Sequence, residues 1–108
     1  MSGSKYKNRK VEIDGVSFDS VKEGRRYGEL RLLERAGQIQ DLELQKRFPI
    51  RINDELVCAY VADFVYREAS SGQQVVEDVK SPFTRQHPVY RLKNKLMHAV
   101  LGVTIREV

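Results

Sequence analysis

Tyr60-Val61-Ala62-Asp63-Phe64 and Val75-Val76-Glu77-Asp78-Val79-Lys80 read as two β-strands with charges set among apolar residues. A carboxylate in such a strand is costly unless it is paired or put to use. Side chains alternate faces along a strand, so Asp78 and Lys80 share one face, while Glu77 shares the other with Val79. Ser70-Ser71-Gly72 is a turn signal between the two strands, and an antiparallel pairing sets Asp63 beside Asp78. Two carboxylates and an ammonium then converge at one end of a hairpin. A divalent metal such as Mg²⁺ takes oxygen ligands of this kind and keeps several waters. The lysine would orient or help deprotonate an attacking water and offset charge on a phosphoryl group.

The flanking segments complete an α/β pattern. Val11, Ile13, Asp14-Gly15, Val16 and Phe18 form a short N-terminal hairpin, because Asp-Gly between alternating apolar residues is a strong two-residue turn signal. Ser20, with Glu23 three residues later, has the spacing of a capping box. It opens a helix whose apolar content is Leu30, Leu32, Leu33 and Ala36, with Gly37 just past its end. Gly24 and Gly28 lie on one face of this helix, at a cost of about 1 kcal/mol each against alanine, which points to a close backbone approach. Residues 39–52 alternate through Leu42, Leu44, Lys46, Phe48, Ile50 and Ile52, and Pro49 places part of this strand at an edge. Asn53-Asp54 turns into a strand over 56–66, and a third strand covers 75–80. Pro82 and Pro88 bracket an expected loop. Val89, Leu92, Leu96 and Val100 give a helical stripe ended by Gly102, and Val103 and Ile105 open a last strand. The expected order is ββαβββαβ, with residues 1–8 as a flexible basic arm and 9–108 as one domain.

The chain has 108 residues, one domain's worth. Lys and Arg total 19 against 15 Asp and Glu, a net charge of +4 that suits an anionic partner such as nucleic acid. The single cysteine, Cys58, excludes an internal disulfide framework and makes a reduced, cytoplasmic setting the default. No apolar run approaches the roughly 20 residues of a membrane helix. Met1-Ser2-Gly3-Ser4-Lys5 leads into no apolar segment, so neither a membrane span nor a secretory leader is expected.

Asp63…Asp78-Val79-Lys80 resembles the motif of the PD-(D/E)XK, or restriction-endonuclease-like, nuclease superfamily. More closely, Phe18-Asp19-Ser20-Val21-Lys22-Glu23, Gly37-Gln38-Ile39, Leu42-Glu43-Leu44-Gln45, Ala62-Asp63-Phe64 and Glu77-Asp78-Val79-Lys80 resemble a small phage and prophage nuclease-like family, known mainly as an uncharacterised domain. They are also similar to the endonuclease subunit of some transposons and to small Holliday-junction resolvases. The resemblance covers nearly the whole chain. It departs at Ala62, where the motif has proline, and at Asp78, one methylene shorter than the usual glutamate. It implies an α/β fold: an αβββαβ core with a mixed central sheet flanked by two helices. It implies a metal-dependent endodeoxyribonuclease, with Mg²⁺ as cofactor and Mn²⁺ as substitute. Asp63, Asp78, the Val79 carbonyl and Glu23 would hold the metal, Lys80 would position the nucleophile, and Gln45 would support the water or the metal shell. Arg25, Arg26, Arg85, Arg91, Lys93 and Lys95 would contact DNA. A phage role on branched DNA, in the cytoplasm of a bacterial host and as a homodimer, completes the expectation.

Plainer readings stand beside these. Glu23 is also the capping-box partner of Ser20. Asp63 also reads as an ion-pair partner of Lys80, and Asp78 with Lys80 as a solvent-facing strand pair. Gln45 is equally a polar strand residue, Tyr90 a core residue, and Arg25, Arg26, Arg91, Lys93 and Lys95 solvated surface charge. His87 and His98 have no partner at metal-ligand spacing. Two other functions remain open: a non-catalytic DNA-binding module, and a general nicking endonuclease of phage replication or packaging. A small interaction protein whose acids form ion pairs is a third.

Overall fold

The computed structural model describes residues 10–108, so the arm expected over residues 1–8, together with Arg9, lies outside the described residues. The chain opens with a two-stranded hairpin, β1 (Val11–Ile13) and β2 (Val16–Phe18). Asp14 (φ 54°) and Gly15 (φ 78°) are both left-handed, as a two-residue turn with right-twisted strands requires. Helix α1 (Val21–Arg35) begins where the Ser20 hydroxyl accepts the Glu23 N–H at 3.0 Å, and it ends before left-handed Gly37. Strands β3 (Ile39–Ile52), β4 (Glu55–Glu68) and β5 (Gln74–Asp78) follow. Then come helices α2 (Pro82–Arg85) and α3 (Pro88–Leu101) and strand β6 (Ile105–Glu107).

The main sheet has the order β3-β4-β5-β6. Its first three strands are antiparallel, and β5 pairs with β6 in parallel across the α3 crossover, so the sheet is mixed. Pro49 sits in edge strand β3, where a missing N–H costs no ladder bond on the open side. Two expectations need correction. The Pro82–Pro88 segment is not an open loop: Ser81 caps a short helix with Pro82 in its first turn, which makes three helices rather than two among the described residues. Strand β5 also ends at Asp78, leaving Lys80 beyond it.

The core has two halves on opposite faces of the sheet. Leu42 and Leu44 of β3, with Phe64 and Tyr66 of β4, pack with Phe18, Tyr27 and Leu30 on the α1 side. Phe48 and Ile50 of β3, with Tyr60 and Ala62 of β4, have the same parity yet pack with Tyr90 and Met97 of α3. Unbroken alternation cannot do this. The switch falls where Gln45 faces Asp63, between the pairs Leu44↔Phe64 and Lys46↔Ala62. Gln45 adopts φ 53° there, a left-handed conformation that breaks the strand's alternation. The single apolar face expected along β3 is therefore divided between two core clusters.

The close approach inferred from the helical glycines belongs to Gly24 alone. A Cβ on Gly24 would stand 2.5 Å from Val11 Cγ2 and 3.1 Å from Ile13 Cδ1, whereas one on Gly28 meets nothing within 4 Å. Gly24→Ala should cost about 1–3 kcal/mol, the usual penalty of overpacking. Gly28→Ala should gain several tenths of a kcal/mol from helix propensity. Denaturant titration of both variants checks this, and equal effects would contradict the packing.

Candidate active site

The last ladder pair between β4 and β5 is Phe64↔Glu77. One residue further, carboxylates replace the ladder. The Asp63 N–H donates to Asp78 Oδ1 at 3.1 Å, and the Val79 N–H donates to Asp63 Oδ2 at 2.9 Å. Each acid is thus clamped by the backbone of the opposite segment. Asp78 is 1% exposed. Its other oxygen, Oδ2, is buried without a hydrogen-bond partner, 3.9 Å from Lys80 Nζ. Burial pushes the Asp78 carboxyl from 3.8 up to about 6, although Lys80 and the Asp63 N–H pull the other way.

Glu23 comes to the same place from the first turn of α1. Its carboxylate does not reach back to Ser20; it accepts from Gln45 Nε2 at 3.2 Å, and the same amide nitrogen donates to Asp63 Oδ1 at 3.1 Å. Only the Ser20 half of the capping box is formed among the described residues. Burial, followed by the charges of Asp63, Asp19 and Asp78, pushes the Glu23 carboxyl from 4.5 up to about 7. The positive end of one amide dipole lies between two carboxylates, on a residue whose backbone is held left-handed. Strain of this kind persists where surrounding contacts over-determine it, and it clusters at functional sites.

Lys80 completes the group. Its Nζ lies 4.7 Å from the Tyr90 ring centroid, within cation–π range. The Tyr90 hydroxyl donates to Glu107 Oε2 at 2.5 Å, which fixes the ring beneath the ammonium. Lys22 Nζ donates to the Lys80 carbonyl at 3.0 Å and ties the start of α1 to the segment after β5. Tyr90 and Lys22 are site residues that the sequence reading missed. Lys22 adjoins Glu23, which was a usable signal; nothing local marks Tyr90. The Asp63–Lys80 ion pair is not formed among the described residues, since Lys80 pairs with Asp78.

The structure therefore brings together Glu23, Gln45, Asp63, Asp78, Val79 and Lys80. The basic residues are more dispersed. Arg26 is engaged by Glu77, with Nε to Oε1 at 2.9 Å and Nη2 to Oε2 at 2.6 Å, and by Glu29 at 2.9 Å. Arg26, expected to contact DNA, is thus engaged by two carboxylates in the structure. Glu77 is 0% exposed and also accepts from the Tyr66 hydroxyl. Burial, then this bond, pushes Tyr66 up to about 12. Arg85 stands 3.6 Å from Glu107. Arg25, Arg91 and Lys95 are exposed, whereas Lys93 is half-buried at helical spacing from Tyr90 and Met97, away from Arg91 and Lys95.

Residues 3–102 match the family described as "Protein of unknown function (DUF1064)", and the chain belongs to that family. No curated protein and no solved structure matches it.

The fit of this site to a divalent cation rests on its unmet polarity. No three acidic, histidine or cysteine side chains among the described residues already stand at metal-ligand spacing. Yet Asp78 Oδ2 is buried and unpartnered, Asp63 and Glu23 share a single amide donor, and burial, more than any other cause, holds the Glu23 and Asp78 carboxyls above their usual range. A hard cation at this point answers all three.

Raised carboxyl pKa values mean that the folded, metal-free protein holds protons the unfolded chain releases. Stability contributed by Glu23 is present below pH 4.5 and is lost as pH rises toward about 7; Asp78 behaves likewise from 3.8 toward about 6. Glu23→Gln should remove the upper part of that slope. In chelator, the variant should equal or exceed the parent's melting temperature at pH 8 and lose that advantage at pH 4.5. A constant difference between the two across this range would contradict the assignment.

Proposed function

We propose that the chain is a metal-dependent endodeoxyribonuclease with a restriction-endonuclease-like core. The observation that carries this reading is the buried, unpartnered Asp78 Oδ2 beside Asp63 and Lys80. The order α1-β3-β4-β5-α3-β6 is consistent with the αβββαβ core of that superfamily. Asp63, Asp78 and the Val79 carbonyl would hold Mg²⁺ or Mn²⁺, with Glu23 assisting directly or through water. Once bound, the metal supplies Lewis-acid stabilisation of phosphoryl charge and acidifies water.

The chain's own groups supply the rest. Lys80 is held between Asp78 and the Tyr90 ring, so its ammonium is already oriented when a phosphodiester arrives. It holds the attacking water and neutralises charge developing on a non-bridging oxygen. The Gln45 amide, which donates to both Glu23 and Asp63, would hold these two carboxylates in position for a cation. Exposed Arg25, Arg91 and Lys95 hold flanking phosphates. Branched DNA as substrate, a homodimer that makes paired cuts, and a cytoplasmic phage or prophage setting extend this reading.

Lys80→Ala and Asp78→Asn test it. Both should fold and bind DNA in Ca²⁺, while cleavage in Mg²⁺ falls by about two orders of magnitude or more, as when one transition-state electrostatic group is removed. The parent should gain thermal stability from Mg²⁺ or Mn²⁺, and Asp78→Asn should not. Binding without cleavage by the parent would favour a DNA-binding module; variants that cleave at the parental rate would contradict the site.

A further inference from the structure

Phe83 is 86% exposed, the most exposed large apolar side chain among the described residues. It packs in neither core cluster. An exposed phenylalanine on a loose loop would mean little, but this one is on a rigid support. The Ser81 hydroxyl accepts the Thr84 N–H at 3.1 Å and bonds the Thr84 hydroxyl at 3.0 Å. The Arg85 N–H donates to the Ser81 carbonyl at 3.0 Å, and the Gln86 N–H to the Phe83 carbonyl at 3.2 Å. Pro82 fixes the preceding φ. The backbone carrying the ring is therefore ordered before any partner arrives, so little entropy is lost when the ring is used.

Its position adds the second constraint. Phe83 is three residues after Lys80, so their Cα atoms are at most about 11 Å apart at 3.8 Å per residue. That is about three base steps of duplex at 3.4 Å each. Lys80 is itself cationic and Arg91 is exposed on the next helix, whereas Arg85 of the short helix is turned to Glu107 at 3.6 Å. An exposed aromatic face this close along the chain to the Lys80 ammonium suits a flat π-surface joined to an anionic backbone.

Resting on the nuclease reading above, we infer that Phe83 is a stacking platform for an unpaired nucleobase next to the scissile phosphate. The substrate class is DNA with a single-stranded or splayed nucleotide at the cut site, in preference to continuous duplex. In duplex DNA every base face is already stacked, and the ring gains nothing. At a flap, gap or branch the exposed base covers the ring, an interaction tolerant of sequence because every base has a π-face.

The test uses the full chain in Ca²⁺ with two DNAs: a blunt duplex, and the same duplex carrying a single-stranded flap. The flap holds a fluorescent adenine analogue whose emission falls on stacking. The parent should bind the flapped DNA more tightly and quench the analogue. Phe83→Ala should weaken flap binding about tenfold or more, the range of one stacked base, abolish quenching and leave duplex affinity unchanged. Phe83→Trp should restore both, and Phe83→Leu neither. Equal loss on both DNAs, rescue by leucine, or a change of oligomeric state in Phe83→Ala would overturn the stacking role while leaving the nuclease reading in place. Cleavage of duplex and flap at equal rates by parent and Phe83→Ala alike would do the same. A parent that binds neither DNA would instead remove the nuclease reading beneath it.

Discussion

The candidate site hangs on one reciprocal contact: two aspartates on neighbouring segments, each accepting the other segment's backbone N–H. These bonds stand where ladder bonds would otherwise continue beyond Phe64↔Glu77. Because backbone donors make them, they fix both carboxylates without neutralising their charge. One oxygen of Asp78 is used up in the clamp and the other is left buried and unmet. Glu23, Gln45 and Lys80 are then arranged around a pair whose geometry is already set.

Glu77 and Asp78 show how sharply the molecule separates a satisfied acid from an unsatisfied one. They are adjacent, both are buried, and they face opposite sides of β5. Glu77 is satisfied in full by the Arg26 guanidinium and the Tyr66 hydroxyl, with Arg106 Nη1 at 4.0 Å. A buried charge with such partners is held in place and has no remaining capacity. Asp78 has an ammonium at 3.9 Å, a single backbone donor and a carboxyl pushed up to about 6. The cluster is destabilising as it stands, and so is left-handed Gln45. Sites that retain such costs are where function and stability diverge.

Much of this was legible in the sequence. Asp-Gly, Ser20 with Gly37, Pro49 on an edge and the Gly102 cap all mark element boundaries through local backbone chemistry, and the structure follows them. The pairing of Asp63 with Asp78 followed from two strands and one turn. What was not legible depended on tertiary context. The parity switch at Gln45 and Asp63 violates the alternation by which strands are read, so residues of one parity divide between two cores. Arg26 looked like free charge because its partner, Glu77, is 51 residues away in sequence. Tyr90 read as core, and it is buried; that its ring also carries Lys80 is a through-space fact. Helix α2 is too short to have a period, and only its Ser-Pro start signals it.

Anomalous diffraction from crystals grown with Mn²⁺ would test the proposed metal site most directly. The expected result is a strong peak between the Asp63 and Asp78 carboxylates, within reach of the Val79 carbonyl, with the Gln45 amide displaced from between Glu23 and Asp63. Manganese bound only elsewhere, with Gln45 still bridging the two acids and Asp78 Oδ2 still unpartnered, would contradict it.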